Sequence, residues 1–365
     1  MSLTKLLLIT SEFPPQPGGI GTHAYQIAKE LSKHEIEVSV LTNQRSRNGE
    51  EESGFDQNLT FKVHRVKRKY ALILSYLGRI LRAIRLTKRQ DVVLLSGKFS
   101  LWIGGFLSVI SNKKLLAVIH GSEVLLTNKL LRNYTRWCLK RFDHVIAVSN
   151  FTLSLVEDIG LKNTTVIPNG FEVSREQDFT KSQPTELSLI TVGNITQRKG
   201  QHNVVKALPL LKQEYPNFKY HVVGIPTKKE SLQLLAEELG VAEHVIFHGR
   251  VSDEKKIELL KEASVFIMLS ETTLAGDVEG FGIAILEANA LGLPAIGAMG
   301  CGIEDAILEG KSGKLIPSNQ PEACKKAIDE ILGNYQYFSR EAKTWTEQFR
   351  WLEVIKQYLI LIKDS

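Results

Sequence analysis

Cysteine is scarce in this chain: Cys138, Cys301 and Cys324 are the only three in 365 residues, with no CxxC spacing. That argues against a disulfide framework or a zinc ribbon and points to a reducing, cytoplasmic setting. Long apolar runs are missing too. No stretch approaches the roughly 18–20 uninterrupted apolar residues of a membrane span. The opening Lys5-Leu6-Leu7-Leu8-Ile9-Thr10 is too short for a signal peptide and runs straight into a loop, so it reads as a first buried strand. Internal repeats and low-complexity segments are absent. One lack is local: residues 57–90 contain no Asp or Glu, but ten Lys or Arg.

What is present suits a globular protein of two α/β domains, with 43% hydrophobic and 24% charged residues in a chain too long for one ordinary core. The net charge of +6 is uneven. Residues 1–180 carry 25 basic and 16 acidic side chains, and residues 181–365 carry 21 and 24. Short apolar runs at 6–10, 37–41, 92–96, 115–120, 144–148 and 165–167 read as strands, separated by helical patterns such as 22–32 and 70–88. Residues 173–185 turn polar and read as a linker. Strand-like runs resume at 187–193, 220–223, 245–248, 265–269 and 294–297, and the stretch 335–363 is helical and aromatic-rich. The alternation predicts two Rossmann-like, doubly wound parallel-sheet domains. Their expected bounds are 1–172 and 186–334, with helices at 335–365 crossing back to the first.

Three constellations carry chemistry. In the first, Phe13-Pro14-Pro15-Gln16-Pro17-Gly18-Gly19-Ile20-Gly21 links strand one to a helix, where glycines and free N–H groups can receive phosphate. The match of Gly19-Ile20-Gly21-Thr22-His23-Ala24 to a dinucleotide fingerprint is weak. Eight residues separate strand from glycine, and the second strand ends in Thr42-Asn43-Gln44 with no acid, which tells against a dehydrogenase. A turn needing glycines explains the loop as well. The second is Gly193-Asn194-Ile195-Thr196-Gln197-Arg198-Lys199-Gly200, where a strand end leads to two adjacent cations. An Arg fork and a Lys point charge suit a departing diphosphate, although Arg-Lys doublets are common on solvated surfaces. The third is Asp277-Val278-Glu279-Gly280-Phe281-Gly282-Ile283-Ala284-Ile285-Leu286-Glu287-Ala288. Two glycines bracket Phe281 at a helix head, with Glu279 before the helix and Glu287 roughly two turns inside it. A carboxylate amid apolar residues needs partners, and sugar or ribose hydroxyls would serve; a capping glutamate on an amphipathic helix is the plainer reading.

Glu279 and Glu287, with seven residues between them, resemble the EX7E element of retaining GT-B glycosyltransferases. The Gly18-Gly19 loop, the Gly193–Gly200 loop, Val166-Ile167-Pro168-Asn169-Gly170 and Gly300-Cys301-Gly302-Ile303-Glu304 resemble motifs of the family 4 group, in the right order from residue 5 to about 317. The resemblance implies two domains facing across a cleft and metal-independent transfer of a hexose-type sugar from a UDP- or GDP-linked donor to a glycan or lipid-linked acceptor, with no cofactor. It implies that Gly18 and Gly19 meet the donor phosphate, and that Arg198 and Lys199 hold the diphosphate beside Gly193 and Asn194. Glu279 with Gly280, Phe281, Gly282 and Ile283 would bind sugar and phosphate, and Glu287 the ribose. Arg250 and Val251 would meet the base, and His120 would lie near the sugar. Phe171-Glu172, where the family's motif often ends in Asp, and Cys301, which breaks the usual Gly-Gly, leave the sugar open. A nucleotide-sugar epimerase and a non-catalytic nucleotide-sugar sensor share these features.

The acceptor side rests on residues 62–89. Arg79, Arg82, Arg85 and Arg89 step along one helix face, with Ile73, Leu77, Ile80, Leu81 and Ile84 largely on the other. An anionic membrane surface and a merely solvated basic face are equally consistent with this. No nucleic-acid recognition motif accompanies the run.

Overall fold

A computed structural model of the chain describes residues 3–16, 18–67, 72–172 and 181–363, the side chains of residues 72–74 apart. It divides into two units, residues 1–170 with 351–365 and residues 171–350. Pro17, Arg68, Lys69, Ile73's side chain and most of the expected 173–185 linker lie outside the described residues.

In the first unit the strands are β1 (Thr4–Thr10), β2 (Ile36–Asn43), β3 (Lys62–Val66), β4 (Val92–Ser96), β5 (Lys114–Ile119), β6 (His144–Ala147) and β7 (Thr164–Val166). They form one sheet in the order β3-β2-β1-β4-β5-β6-β7, with every described pairing parallel. Helices cover such a sheet, so its central strands are apolar on both sides. Leu6, Leu7, Leu8 and Ile9 of β1 are all fully buried. The second unit repeats the plan with β8 (Ser188–Val192), β9 (Lys219–Val223), β10 (Val245–Gly249), β11 (Val265–Met268), β12 (Ala295–Ala298) and β13 (Gly313–Ile316), in the order β10-β9-β8-β11-β12-β13. Both sheets are doubly wound. Their crossovers leave in opposite directions between β1 and β4 and between β8 and β11, and the crevice outside such a switch point is where ligands of this architecture bind.

The C-terminal segment divides later than residue 335. The helix Tyr335–Thr346 stays with the second unit, because Tyr335 and Phe338 sit in its core. Only Trp351–Lys363 joins the first unit, packing on the helix Gly19–Leu31. Gly170, of the Pro-Asn-Gly motif, makes that return possible: a Cβ there would stand 2.5 Å from the Trp351 ring.

The helix Leu72–Thr87 corrects the expected basic face. Arg79 is fully buried. Its Nη2 donates to the Thr10 carbonyl and, at 3.1 Å, to Ser100 Oγ, and its guanidinium lies 5.1 Å from the Phe99 ring centre. Burial pushes its pKa down to about 10. Ile80 and Ile84 pack on the core, whereas Leu77 and Leu81 face outward with Arg82 and Arg85. No helix among the described residues is long and apolar enough to cross a membrane.

Candidate functional site

In the second unit, β8 ends at Val192 and the chain turns through Gly193 to a single 3-10 turn, Gln197–Lys199. The turn is fixed to the strand next door. Arg198's carbonyl accepts from the Glu271 amide at 3.0 Å, and the Glu271 carboxylate accepts from Gln197 at 3.0 Å and Asn203 at 3.2 Å. Gly200 closes the turn in the left-handed region, and a Cβ there would stand 1.7 Å from the Leu269 carbonyl oxygen. Arg198 and Lys199 are thereby held at the switch point between β8 and β11.

Both cations converge on one carboxylate oxygen. Arg198 Nη1 donates to Glu279 Oε2, and Lys199 Nζ lies 2.8 Å from the same atom. Glu279 is 8% exposed. Burial by itself would raise its pKa, but the charges of Lys199 and Arg198 and the bonds they donate outweigh that and hold it below the ordinary carboxylate value. The cluster is built on close backbone approaches. Gly193 leaves room for the Lys199 stem, whose Cε would be 3.1 Å from a Cβ at residue 193. The Gly302 amide donates to the Glu279 carbonyl at 2.8 Å, and a Cβ on Gly302 would collide with the Gly280 carbonyl oxygen at 2.0 Å.

The helix after the glycines is shorter than its sequence suggests. It runs Ile283–Ala290 with Gly282 as a left-handed cap, so Glu287 stands one turn inside it, not two. Phe281 is buried against Phe349, with ring centres 5.8 Å apart. Glu287 does not share the Arg198 cluster. Lys256, on the helix Asp253–Glu262, reaches its two oxygens at 3.3 and 3.2 Å. Burial alone would lower the Lys256 pKa; attraction to Glu287 and Asp253 raises it instead. Nothing in the sequence marked Lys256 as a partner. Arg250 and Val251 follow the end of β10, with Arg250 exposed. The Gly249 carbonyl accepts from Gly224, and Asn194 Oδ1 from the Ile225 amide at 3.3 Å, which lines up the ends of β8, β9 and β10.

In the first unit the helix begins at Gly19, so Gly19 to Gly21 form its first turn and not the end of a loop. Gly18 lies against Glu12, where a Cβ would meet Oε2 at 2.3 Å, while the space around Gly19 is open. His120 follows β5. Its Nε2 is 3.0 Å from Ser96 Oγ, its amide donates to Glu123 Oε1 at 2.7 Å, and burial pushes its pKa down to about 4. No sequence motif singles out His23, which stands between the glycines and Ala24. It lies edge-on to His120 with ring centres 5.0 Å apart, and the returning helix brings Tyr358 Oη to 3.4 Å from its Nε2. Burial and then the neighbouring His120 lower its pKa well below the ordinary value. Both imidazoles are therefore neutral at pH 7.

Comparison with known proteins follows the same division. The model of Glycosyltransferase Family 4 matches residues 17–175, and that of Glycosyl transferases group 1 matches residues 173–348. A GDP-mannose-dependent alpha-(1-6)-phosphatidylinositol monomannoside mannosyltransferase of Mycolicibacterium smegmatis is 28% identical over 356 residues, covering 90% of this chain and 89% of that one. Among solved structures, a sucrose-phosphate synthase from Thermosynechococcus elongatus superposes with a TM-score of 0.83 at 18% identity, over 99% of this chain and 98% of the other. Anabaena HepE, solved with UDP and glucose, gives 0.79 at 19% identity over 99% and 100%. With a family model on each unit and this architecture throughout, the chain belongs to the group 1, family 4-like glycosyltransferases of GT-B fold.

Proposed function

We propose that the second unit binds a nucleoside-diphosphate hexose through Arg198, Lys199 and Glu279, and that the enzyme transfers the hexose with retention, without a metal ion, to a glycan or lipid-linked acceptor. The observation that carries this is the pair of cations fixed at the switch point of the second sheet. Cleavage of a sugar–phosphate bond leaves charge on the departing diphosphate, and donors already held in place stabilise it without reorganisation. Two such cations supply what a divalent ion would otherwise contribute. Glu279 offsets one of the two positive charges in the free protein and keeps the loop before the Ile283–Ala290 helix close, with the helix N–H groups available to donor oxygens. Gly193, Asn194, Gly280, Gly282 and Ile283 supply backbone around that anion, Glu287 the ribose contact, and Arg250 and Val251 the edge facing the base. Within the first unit, the family resemblance assigns the donor phosphate to Gly18 and Gly19 and the sugar to His120. Glu279 is engaged by two cations and is no free nucleophile, so front-side attack through an ion-pair-like transition state fits retention best. The mannosyltransferase relatives make GDP-mannose the first donor to test.

Arg198→Ala and Lys199→Ala should each lower kcat by roughly 10²-fold or more, the scale for losing one charge-stabilising donor. Near-normal turnover in both would sink the diphosphate assignment. Retention predicts an α-linked product from the α-linked donor by NMR, and activity undiminished by EDTA is expected; rescue of an EDTA-abolished activity by Mg²⁺ or Mn²⁺ would refute metal independence.

A further inference from the structure

The first unit carries an outward surface that the donor chemistry does not use. It spans three neighbouring helices, Leu72–Thr87, Lys98–Ile110 and Lys129–Leu139. An aromatic chain crosses all three. Tyr76 meets Phe99 at 4.4 Å between ring centres, Phe99 meets Trp102 at 6.2 Å, Trp102 meets Tyr134 at 6.2 Å, and Tyr134 stacks on Trp137 at 5.6 Å. Around this chain, aliphatic side chains stand in the open: Leu130 is 80% exposed, Leu81 67% and Val109 62%. Ile84 and Lys88 face Val109, Ile110 and Lys113 across one surface cleft, so the first two helices share the patch and do not carry separate spots. Isolated exposed leucines need no explanation, but a continuous apolar and aromatic patch does.

The charge around the patch is predominantly of one sign. Residues 57–142 contain eighteen Lys and Arg but only two acids, Asp91 and Glu123. Asp91 accepts from the Lys5 amide at 2.8 Å, and Glu123 is 3% exposed. On the Lys129–Leu139 helix, Leu130, Tyr134 and Trp137 recur at steps of four and three residues, so they share one face. Lys129 and Arg132 flank them and form no ion pair among the described residues; Arg136 is paired with Asp158 at 2.7 Å. Arg141 lies over the Trp137 ring at 4.2 Å. Arg82 and Arg85 border the patch on the far side.

We propose that this three-helix face docks on a bilayer containing anionic lipid. Tyr and Trp settle at the headgroup level, aliphatic tips enter the acyl boundary, and each nearby Lys or Arg gains from the negative surface potential. A second copy of the chain fits less well, because two-fold pairing would set this unneutralised basic surface against itself. The surface is centred on the 129–139 helix, and the buried Arg79 takes no part. The proposal stands independently of the donor assignment, since docking requires no turnover.

The test is flotation of the full chain with phosphatidylcholine vesicles with and without about 30% phosphatidylglycerol, at low and at roughly 0.15 M salt. Wild type should float with the anionic vesicles and stay down with phosphatidylcholine alone. Leu130→Ser with Trp137→Ser should cut the bound fraction roughly tenfold or more, because two large apolar side chains are withdrawn from the acyl boundary. Arg85→Glu with Arg132→Glu should cut it comparably and remove most of the salt dependence. Leu234→Ser, an exposed leucine of the second unit, should float as wild type does. Absence of flotation at low salt would overturn the proposal, as would equal binding to neutral vesicles or either double variant floating like wild type. A Leu234→Ser loss as large as theirs would do the same. So would a dimer in light scattering that Leu130→Ser dissociates, or single-stranded RNA that displaces the vesicles.

Discussion

The two units open at equivalent places in equivalent sheets, yet their crevices are lined by opposite chemistry. Between β8 and β11 stand two cations and a carboxylate, with the carboxyl pKa held low by Lys199 and Arg198 against the pull of burial. Between β1 and β4, and from β5 beside them, stand Ser96 and two imidazoles that burial leaves neutral, while the ionisable groups nearest them are tied up locally, Arg79 on the Thr10 carbonyl and Ser100 and Glu123 on the His120 amide. A charged crevice is suited to an anion whose charge changes during the reaction. A neutral, hydrogen-bonding one is suited to hydroxyl groups, where a buried charge would only cost desolvation. The shared topology therefore decides where a ligand lies, and the few residues after each strand decide what kind of ligand it is.

Glu279→Gln attacks the comparison on its charged side and should have the largest effect. The amide cannot balance Arg198 and Lys199, so the cations lose their fixed positions, and kcat should fall by roughly 10²–10³-fold, comparable to deleting a key electrostatic donor. A variant with wild-type kcat, measured under saturating donor, would show that the cluster serves stability alone. Acid titration sharpens the contrast next. Both histidines have folded pKa values below the unfolded value near 6.5, so the unfolded chain takes up protons that the fold refuses. These two histidines therefore cost the first unit stability as pH falls from about 6.5 towards 4, whereas Glu123, its carboxyl pushed up to about 7 by burial, returns stability over the same interval as it takes up a proton. Glu279, depressed below its unfolded value, contributes stability above roughly pH 4.3 that is lost only as pH falls through its lower folded pKa. Pulse proteolysis of the Glu123→Gln variant between pH 7 and 4, which removes that opposing titration, should find the first unit opening before the second, with fragments assigned by mass spectrometry. The reverse order would contradict the neutral-histidine account.

Most of this contrast could be read from residue types, and the misreadings have physical causes. Central strands such as β1, β4 and β11 are continuous apolar runs because helices cover both faces, so they stand out. The edge strands β3 and β13 do not stand out in this way. Lys62–Val66 is only partly buried and mixes Lys, His and Arg with two valines, and Gly313–Ile316 offers four residues with a Gly and a Lys. Arg79 departs from the expected basic face because helical spacing gives a face but not its direction: the guanidinium turns inward to Thr10 and Ser100 while Leu77 and Leu81 turn out. Glu279 and the Arg-Lys doublet were legible from their motifs. Lys256 and His23 were not, because each acquires its meaning from a partner distant along the chain, Glu287 in one case and His120 with Tyr358 in the other.

The half-open Glu287–Lys256 pair offers the finest discrimination within the charged unit. Its carboxylate is about one-third exposed and lies in a pair of its own, away from the Arg198 cluster. Exposed or half-exposed ion pairs contribute about 0–1 kcal/mol, so Glu287→Gln should leave thermal stability almost unchanged. A carboxylate that accepts from ribose hydroxyls binds the donor equally in ground and transition states, and its loss should raise the donor KM about tenfold with kcat preserved. Lys256→Met provides the complementary measurement. It frees the carboxylate without removing it, so donor affinity should hold or improve if Lys256 competes with ribose, and should fall if Lys256 orients the carboxylate for it. A parallel fall of kcat in Glu287→Gln would show that the contact this glutamate makes is stronger in the transition state than in the ground state, and the division of labour inside the second unit would have to be redrawn.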